Sequence, residues 1–530
     1  PKRDVEKAIA ALNLQEEDPE NAADFIAACQ DAGVKPITNP FWKDWDYADI
    51  HQALTPDILH QLYQGMVKHL IVWLKHVYGE KAIDDRFKCL PDNQQLRHFH
   101  KGISGLSRVS GTEHQDICRV LLGVIADLPL PTNWQGRPVC VVRATRALLD
   151  FVYLAQAPEA TESTLTELKQ ALHTFHVNKH IFKTLGPREH FKLPKLHSLT
   201  HYVPSVRLFG TADNYNTSYS ERLHIDYAKS AWRASNRKDE YPQMTVWLQR
   251  REQIRAHQAY IDWRQRAPGE DTPRIRLPRA LKLKSHITNE PSVRALTCEK
   301  AEQRYGAVDF ERVLKEYLLK LQRPKDSDRL IGRLAKTWPL PFRTFPAYHR
   351  LKFWHPDALE RDGEFVPELP DSVIARPQYR DTQRRKVHGQ FSTALVNEYG
   401  EGDHIGVDGY RVGRIRLIFG LPAKTRRLLF DDDPTIPAHF AYIEWFTPFR
   451  DAYKSNIHHM YRVKRDVEGP EQESLVSILP TDRIRRSVSL LPRIESRDVP
   501  TTWNKDNILE KCEWFHVNPF SDRHAYITVK

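Results

Sequence analysis

The sequence predicts a multidomain α+β protein, with a mostly helical region over residues 54–270 and a small all-β, barrel-like domain over residues 376–530. Three observations predict this class. Apolar residues in the first region recur every three or four positions, the spacing of amphipathic helices. Short alternating runs separated by Pro, Gly and Asp fill the second region. The 530 residues, 40% hydrophobic and 28% charged, suit about three folded domains.

The first two elements in the chain are an N-terminal segment and a long helix. Residues 1–53 are an N-terminal remnant: residues 1–40 are predicted to form one or two helices and a linker, and the aromatic-rich run FWKDWDYADI that follows is expected to be extended or looped. The next helix is expected to begin with Thr55 as its N-cap, Pro56 in the first helical position and Asp57 in the first turn. Its apolar stripe comprises Ile58, Leu62, Met66, Leu70, Trp73, Leu74 and Val77. Further helices are predicted near residues 113–128, 140–156 and 161–180.

The second half begins with a basic linker at 271–290, within a small mixed domain that spans residues 271–375. The run TPRIRLPRALKLKSH either contacts a phosphate backbone or is a solvated connector. At least one helix is predicted in residues 291–375, from Phe310 to Leu321. Strands are predicted at YRVGRIRLIFG, FAYIEWF, HMYRVKR, LVSIL, SVSLL and WFHV, with a tight turn at Asp408-Gly409 before the first of them.

Composition narrows the function classes. A formal net charge of +11 favours an anionic partner such as nucleic acid. Six scattered cysteines without a Cys-x-x-Cys pair fit a reducing compartment rather than a disulfide framework. No apolar run is long enough for a membrane span. The sequence holds no GxGxxG, P-loop, HExxH or GxSxG motif, so the common nucleotide-binding and hydrolase signatures are missing.

Two histidines are candidate metal ligands. On a helix, the four-residue spacing of His197 and His201 places both imidazoles on one face, where they can share a Zn²⁺ ion. Two ligands are half of a tetrahedral site, and a pair of surface histidines is the alternative. A histidine-based metallohydrolase would need further ligands that the sequence does not indicate.

Glu221 is the first candidate catalytic residue. The run Ser218-Tyr-Ser-Glu221 fits a capping box at the start of a helix, and a carboxylate there can also hold Mg²⁺ near a phosphodiester. Basic residues follow it: Arg222, Lys229, Arg233, Arg237 and Lys238, of which Lys229, Arg233 and Arg237 are spaced four apart. Such a stripe either contacts a DNA backbone or forms a solvated helix face.

Asp57 and His60 form a second candidate pair. An acid in the first turn is favoured by the helix dipole, and a functional Asp-His pair is the other interpretation.

Longer motifs resemble those of the fungal Plavaka-type transposases, which belong to the Kyakuja–Dileera–Zisupton group and are related to CACTA elements. The resemblance runs through NPFWKDWDYADIHQALTPDILHQLYQG, DDRFKCLP, RALLDFVYLAQ and HSLTHYVPSVRLFGTADNYNTSYSERLHIDYAKSAWRASNRKD. It continues in GYRVGRIRLIF, AYIEWFTPF and WFHVNPF, and so covers nearly the whole chain.

The resemblance implies the C-terminal part of an RNase H-like DDE core with a large helical insertion before the last acid. In that family, three carboxylates bind two Mg²⁺ or Mn²⁺ ions, and a Cys-x-x-Cys pairs with a later histidine pair at a structural Zn²⁺. His197 and His201 match the histidine pair, and Glu221, in Ser-Glu-Arg, matches the last acid. Asp57 and His60 match a DLLH signature near the site. Asp57 is not the second catalytic aspartate, but it is a further candidate catalytic residue that could bind the metal directly, and His60 is a third candidate metal ligand.

The resemblance implies a DNA transposase that cuts and joins transposon ends in the nucleus. Its expected partner is double-stranded DNA, and further copies of the same chain, forming a homo-oligomer, are a possible second partner. Arg384, Arg385 and Lys386 are candidates for a nuclear signal. The sequence departs from the pattern because it holds no Cys-x-x-Cys and no first-strand aspartate. We therefore expect a C-terminal fragment that does not cut DNA by itself. The alternative is a non-enzymatic DNA- or chromatin-binding protein derived from a transposase.

Overall fold

The computed structural model describes residues 4–17, 20–45, 49–131, 138–265, 285–354, 370–400, 406–468 and 473–529. Helices dominate the part before residue 265, and antiparallel sheets with a few helices follow. The predicted α+β class is therefore confirmed. Most of the predicted linker TPRIRLPRALKLKSH lies outside the described residues, and its last two residues, Ser285 and His286, lie in a strand.

Twenty α-helices are described. They are α1 (Val5–Glu17), α2 (Ala22–Asp31), α3 (Ile50–Ala53), α4 (Lys68–Tyr78), α5 (Glu80–Lys88), α6 (Gly111–Ile125), α7 (Val139–Leu154), α8 (Glu162–Asn178), α9 (Ile181–Thr184), α10 (Pro194–Ser198), α11 (Tyr202–Phe209), α12 (Ser218–Leu223), α13 (Ser230–Ala234), α14 (Glu240–Arg264), α15 (Cys298–Tyr305), α16 (Phe310–Gln322), α17 (Asp328–Thr337), α18 (Ala423–Phe430), α19 (Ile508–Lys511) and α20 (Arg523–Val529). Two segments are π-helical, Ile58–Val67 and His224–Lys229, and Leu199–His201 is a 3₁₀ turn.

Eighteen strands are described. They are β1 (Ser285–Ile287), β2 (Val293–Leu296), β3 (Phe345–Tyr348), β4 (Arg350–Trp354), β5 (Pro370–Arg376), β6 (Tyr379–Arg380), β7 (Lys386–Val387), β8 (Gln390–Phe391), β9 (Thr393–Asn397), β10 (Tyr410–Gly420), β11 (His439–Trp445), β12 (Arg462–Lys464), β13 (Val467–Glu468), β14 (Glu473–Ser474), β15 (Val476–Pro480), β16 (Ile484–Ser487), β17 (Leu490–Pro492) and β18 (Trp514–Val517). Five of the six predicted runs contain a strand, and the sixth, SVSLL, is divided between the end of β16 and the start of β17.

The first long helix begins later than the sequence predicts. Asp57, not Thr55, is the N-cap: it has extended backbone angles, and its side chain accepts a hydrogen bond from the backbone N–H of His60. Pro56 therefore precedes the helix. The predicted stripe is confirmed, since all seven of its residues are buried. The first turns are π-helical, and at Gly65 a Cβ atom would lie 2.7 Å from the His60 carbonyl oxygen, so glycine allows this close approach.

The helical core lies between these first turns, α4, α6, α7 and α8. Leu70, Leu121, Leu148 and Phe175 have no exposed surface in this core. Ser110 and Glu113 form a complete capping box at the start of α6, which fixes the entry to that helix. The predicted helices near 113–128, 140–156 and 161–180 correspond to α6, α7 and α8.

The described strands form open antiparallel sheets and are not closed into the barrel that the sequence suggested. The largest sheet has the order β15-β11-β10-β3-β2, with β9 and β16 continuing from β10. A second sheet has the order β1-β4-β5-β8, and a third β12-β18-β17. Because β3 pairs with β10, residues on both sides of position 375 share one sheet.

The C-terminal segment packs back onto the helical core. Met460, Leu491, Phe520 and Tyr526 are buried among the core helices, and the guanidinium of Arg146 on α7 donates to the His458 carbonyl at 2.6 Å. All six cysteines are free thiols. No helix among the described residues is both long enough and apolar enough to cross a membrane.

Candidate functional site

Asp57, His60 and Glu221, which the sequence singled out from two distant motifs, meet in the structure; we call them the acid–histidine cluster. Asp57 Oδ2 lies 2.6 Å from His60 Nδ1, and Glu221 Oε1 lies 2.6 Å from His60 Nε2. The imidazole therefore lies between two carboxylates, one bound to each ring nitrogen.

Asp57 is held rigidly at the start of the π-helical turns. Its Oδ2 accepts the His60 backbone N–H at 2.6 Å, and its Oδ1 accepts the Thr217 backbone N–H at 3.1 Å. The buried Tyr202 hydroxyl donates to its carbonyl at 2.8 Å. Burial acts to raise the pKa of the Asp57 carboxyl, but the hydrogen bonds from His60 and Thr217 outweigh it and hold the pKa below its ordinary value.

Glu221 is the accessible member of the cluster. Its side chain is 42% exposed, whereas that of Asp57 is 10% exposed. The predicted capping box is wrong: α12 begins at Ser218, and the side chain of its N-cap, Thr217, makes no capping hydrogen bond. The Asn216 Oδ1 accepts the Ser218 backbone N–H instead, at 3.1 Å. The Glu221 carboxylate contacts His60 instead of reaching back along its own helix.

The number of N–H groups on the His60 ring decides how many carboxylates it can donate hydrogen bonds to. An ionised carboxylate only accepts hydrogen bonds, and a neutral imidazole has a single N–H. Both His60 contacts are hydrogen bonds to ionised carboxylates only when both ring nitrogens carry protons.

His197 and His201 also come together. They span the end of α10 and the 3₁₀ turn that follows, their side chains are exposed, and their Nε2 atoms are 3.1 Å apart. Two nitrogen ligands of a tetrahedral Zn²⁺ ion lie about 3.3 Å apart when each bond is 2.0–2.1 Å long. The pair therefore fits one edge of a zinc site.

No complete metal site is formed by the described part of the chain. Among its residues, no group of three or more His, Cys, Asp or Glu side chains is arranged to hold an ion. In the acid–histidine cluster the imidazole holds the two carboxylates farther apart than the about 4 Å that two ligands of one Mg²⁺ span. His60 has both nitrogens engaged, and Asp57 has both oxygens engaged.

The predicted basic residues lie on residues 218–264, which we call the helical arm. Arg222, Lys229, Arg233, Arg237 and Lys238 are all exposed, and none forms an ion pair with another described residue. They do not share one helix face, because α13 ends at Ala234 and Arg237 has a left-handed φ of 63° in the following turn. The Arg237 guanidinium lies 4.4 Å from the centre of the Trp232 ring.

Sequence reasoning missed Thr217 and Tyr202, which hold Asp57 in place. The Thr217 hydroxyl lies 3.1 Å from His60 Nδ1, in addition to the backbone bond to Asp57. No local pattern marks either residue, because both contacts join positions that are distant in the chain. Their places directly before the Ser-Tyr-Ser-Glu run and directly after His201 are the signals the sequence offers.

A family model described as Plavaka transposase matches residues 1–74. The match includes Asp57 and His60 and ends within α4. It supports a Plavaka-type transposase as the origin of this chain. No curated protein and no solved structure matches the chain.

Proposed function

We propose that this protein is the DNA-handling part of a fungal Plavaka-type transposase, which cleaves and joins DNA at transposon ends in the nucleus. In this proposal residues 54–270 correspond to the C-terminal part of an RNase H-like core with its helical insertion. The observation that carries the proposal is the contact between Glu221 and His60. It joins the proposed last acid of the core to the segment that the transposase model matches.

Glu221 is the residue that we assign to a catalytic Mg²⁺ or Mn²⁺ ion. Its carboxylate is exposed, and it begins the helical arm that carries the basic residues. Asp57 and His60 do not fit as ligands of the same ion in this arrangement. We assign them positioning roles: Asp57 orients His60, and His60 holds the Glu221 carboxylate toward the start of the arm.

His197 and His201 are the proposed ligands of a structural Zn²⁺ ion, of which they would supply two. The 3.1 Å separation of their Nε2 atoms supports this assignment. Tyr202, the residue after His201, is bonded to Asp57, so an ion held there would brace the backbone behind the acid–histidine cluster. The remaining ligands belong to no described residue.

The helical arm is the proposed contact with double-stranded DNA. We expect that changing Arg222, Lys229 and Arg233 to Ala lowers the affinity of the 530-residue chain for a duplex. It should also reduce the slope of log K against log salt by about three, since each phosphate contact contributes about 0.9. Fluorescence anisotropy across a salt series measures both quantities.

A matched control changes three exposed lysines outside the arm, Lys101, Lys183 and Lys424, to Ala. This control removes the same charge and should alter the slope much less. Equal losses in the two triple variants would show that net charge rather than the arm binds DNA.

Catalysis is tested in the longest protein that the gene encodes. Glu221→Gln should abolish cleavage of a transposon end and leave DNA binding intact, whereas Glu252→Gln, an exposed glutamate on α14, should retain both. A gel assay of end cleavage with Mg²⁺ or Mn²⁺ gives the result. Cleavage by the Glu221→Gln variant contradicts the assignment.

A non-enzymatic DNA- or chromatin-binding protein is the second candidate. The observation that favours it is that both nitrogens of His60 and both oxygens of Asp57 are already engaged within the protein. In that case the wild-type protein in the same assay binds DNA through the arm and cleaves no end with either ion.

A further inference from the structure

A small basic cavity lies among the sheets, far along the chain from the acid–histidine cluster. It has a volume of about 260 Å³, and its walls include Arg304 and Tyr305 at the end of α15, His349 between β3 and β4, and Arg376 at the end of β5. Tyr379 on β6 lies at its edge. No acidic side chain of the described residues lines it.

The two arginines of this cavity have no anionic partner in the described part of the chain. Neither Arg304 nor Arg376 forms an ion pair with a described residue. The Nε of Arg376 is buried without a hydrogen-bond partner among those residues, although its guanidinium carbon lies 4.7 Å from the centre of the Tyr379 ring. Buried donors in folded proteins nearly always have an acceptor, and the described residues supply none to this donor, so it can bind an acceptor from outside the protein.

The pKa of His349 is affected by the positive charges around the cavity. Burial lowers its pKa, and the nearby positive charges of Arg376 and Arg304 lower it further. Its Nε2 lies 3.0 Å from the Tyr305 hydroxyl, which fixes the ring. Both guanidinium groups therefore act on the same small volume, with no described carboxylate to offset them.

We propose that the cavity between Arg304, His349 and Arg376 binds a phosphate group. Guanidinium groups bind phosphate through paired N–H donors, and two of them beside an imidazole suit a multiply charged anion. The cavity shares no residue with the acid–histidine cluster or the helical arm. It is a separate site of the sheet region, and its test is independent of the transposase proposal.

The adjacent hairpin extends the positive surface. Strands β6 and β7 pair antiparallel, and Arg380, Arg384, Arg385 and Lys386 are exposed on the hairpin. Its single acid, Asp381, accepts hydrogen bonds from the Gln383 and Arg385 backbones and pairs with the Arg385 side chain at 2.9 Å. The charges of Arg380, Arg384 and Lys386 remain for neighbouring phosphates, which favours a polynucleotide backbone over a free phosphate as the source of the group.

The experiment titrates the 530-residue chain, labelled with ¹³C at histidine Cε1, first with inorganic phosphate and then with a short duplex of mixed sequence. His349→Gln assigns the His349 resonance. We expect phosphate to shift this resonance saturably in the wild type and in Arg333→Gln, an exposed control on α17. Arg304→Gln and Arg376→Gln should each weaken phosphate binding about tenfold or more, as expected for loss of a charge-assisted hydrogen bond.

Two variants are used because Arg376 lies at the end of a buried strand, whereas the Arg304 side chain is exposed, so we expect its loss to leave the fold intact. Displacement of phosphate by the duplex identifies a nucleic-acid backbone as the source. Phosphate binding without displacement identifies a small phosphorylated ligand, and both results support the site. The proposal is overturned if neither probe shifts the resonance, or if Arg304→Gln responds like the wild type.

Discussion

Helices α7 and α14 are both long, but they relate to the rest of the molecule in opposite ways. Of the 16 residues of α7, eleven are buried, including Val141, Leu148 and Phe151. None of the 25 residues of α14 is buried, and Tyr241, Ile254 and Trp263 are 75%, 69% and 62% exposed. Burial of its side chains in the core stabilises α7. Helix α14 has no such burial, so its stability depends on the helix propensity of its residues and on contacts along its own surface or with a partner.

This difference separates the part of the chain that forms the fold from the part available to a partner. A helix that is exposed all round usually bridges to another molecule or depends on side-chain pairs along its own surface. The helical arm contributes ten of the large apolar residues that are exposed, from Tyr219 to Trp263, interleaved with basic residues. The acid–histidine cluster lies where the two parts meet, because Asp57 belongs to the core and Glu221 to the arm.

The largest effect should come from matched tryptophan substitutions in the two regions. Trp73 on α4 is 1% exposed and packs against Phe182 and Phe191, whereas Trp263 on α14 is 62% exposed. We expect Trp73→Ala to lower the free energy of unfolding by about 3–5 kcal/mol through the cavity it leaves. Trp263→Ala should change it by less than about 0.5 kcal/mol. Chemical denaturation followed by circular dichroism measures both, and similar losses would mean that the arm is part of the cooperative core.

The core was predictable from the sequence because its signal is local. The stripe from Ile58 to Val77 and the periodic residues of α8 identify buried faces without any knowledge of their neighbours. The first turn was assigned two residues too early because Thr55-Pro56 resembles a helix start, although the actual N-cap is Asp57. The π-helical geometry left no signal in the apolar pattern.

The site was predictable residue by residue but not as an arrangement. Glu221 and His60 were selected from separate motifs, and their contact depends on how α12 packs against the π-helical turns. The four-residue spacing of Lys229, Arg233 and Arg237 predicts a shared helix face. The helix ends before Ser235, however, so Arg237 does not lie on the same face as Arg233. Strand positions were likewise readable, whereas the order β15-β11-β10-β3-β2 depends on contacts between distant segments.

A smaller effect is expected at the junction between core and arm. Asp57→Ala removes the N-cap acceptor and the bond to Thr217, and should cost about 1–2 kcal/mol at neutral pH. Asp49→Ala, which removes the N-cap of the four-residue helix α3, is the matched control and should cost less. Asp57→Asn keeps a capping acceptor and so isolates the contribution of the charge.

The pH dependence of these variants follows from the lowered pKa of Asp57. A carboxyl whose pKa is lower in the folded state stabilises the fold above its unfolded pKa of about 3.9, and this stabilisation is lost as the pH falls through the folded value. The difference in unfolding free energy between wild type and Asp57→Asn should therefore be constant near neutrality and shrink below about pH 4. Urea denaturation at a series of pH values measures it, and a difference that grows on acidification would contradict the lowered pKa.

The smallest effect should occur within the arm, at the contact that folds α14 back on the preceding turns. Arg251 donates to the Asp226 carbonyl at 2.8 Å and lies over the rings of Tyr227 and Trp247 at 5.7 and 5.4 Å. Arg251→Ala should loosen residues 224–250 by about 1 kcal/mol or less, because the contact is partly exposed. Global unfolding should change little, since α14 has no buried residue whose packing depends on this contact. Hydrogen exchange resolves such a local change: faster exchange confined to the arm in Arg251→Ala, and none in the exposed neighbour Arg250→Ala, would show that the arm opens separately from the core. If hydrogen exchange also became equally faster in α7, the arm and the core would be shown to unfold together as one cooperative unit.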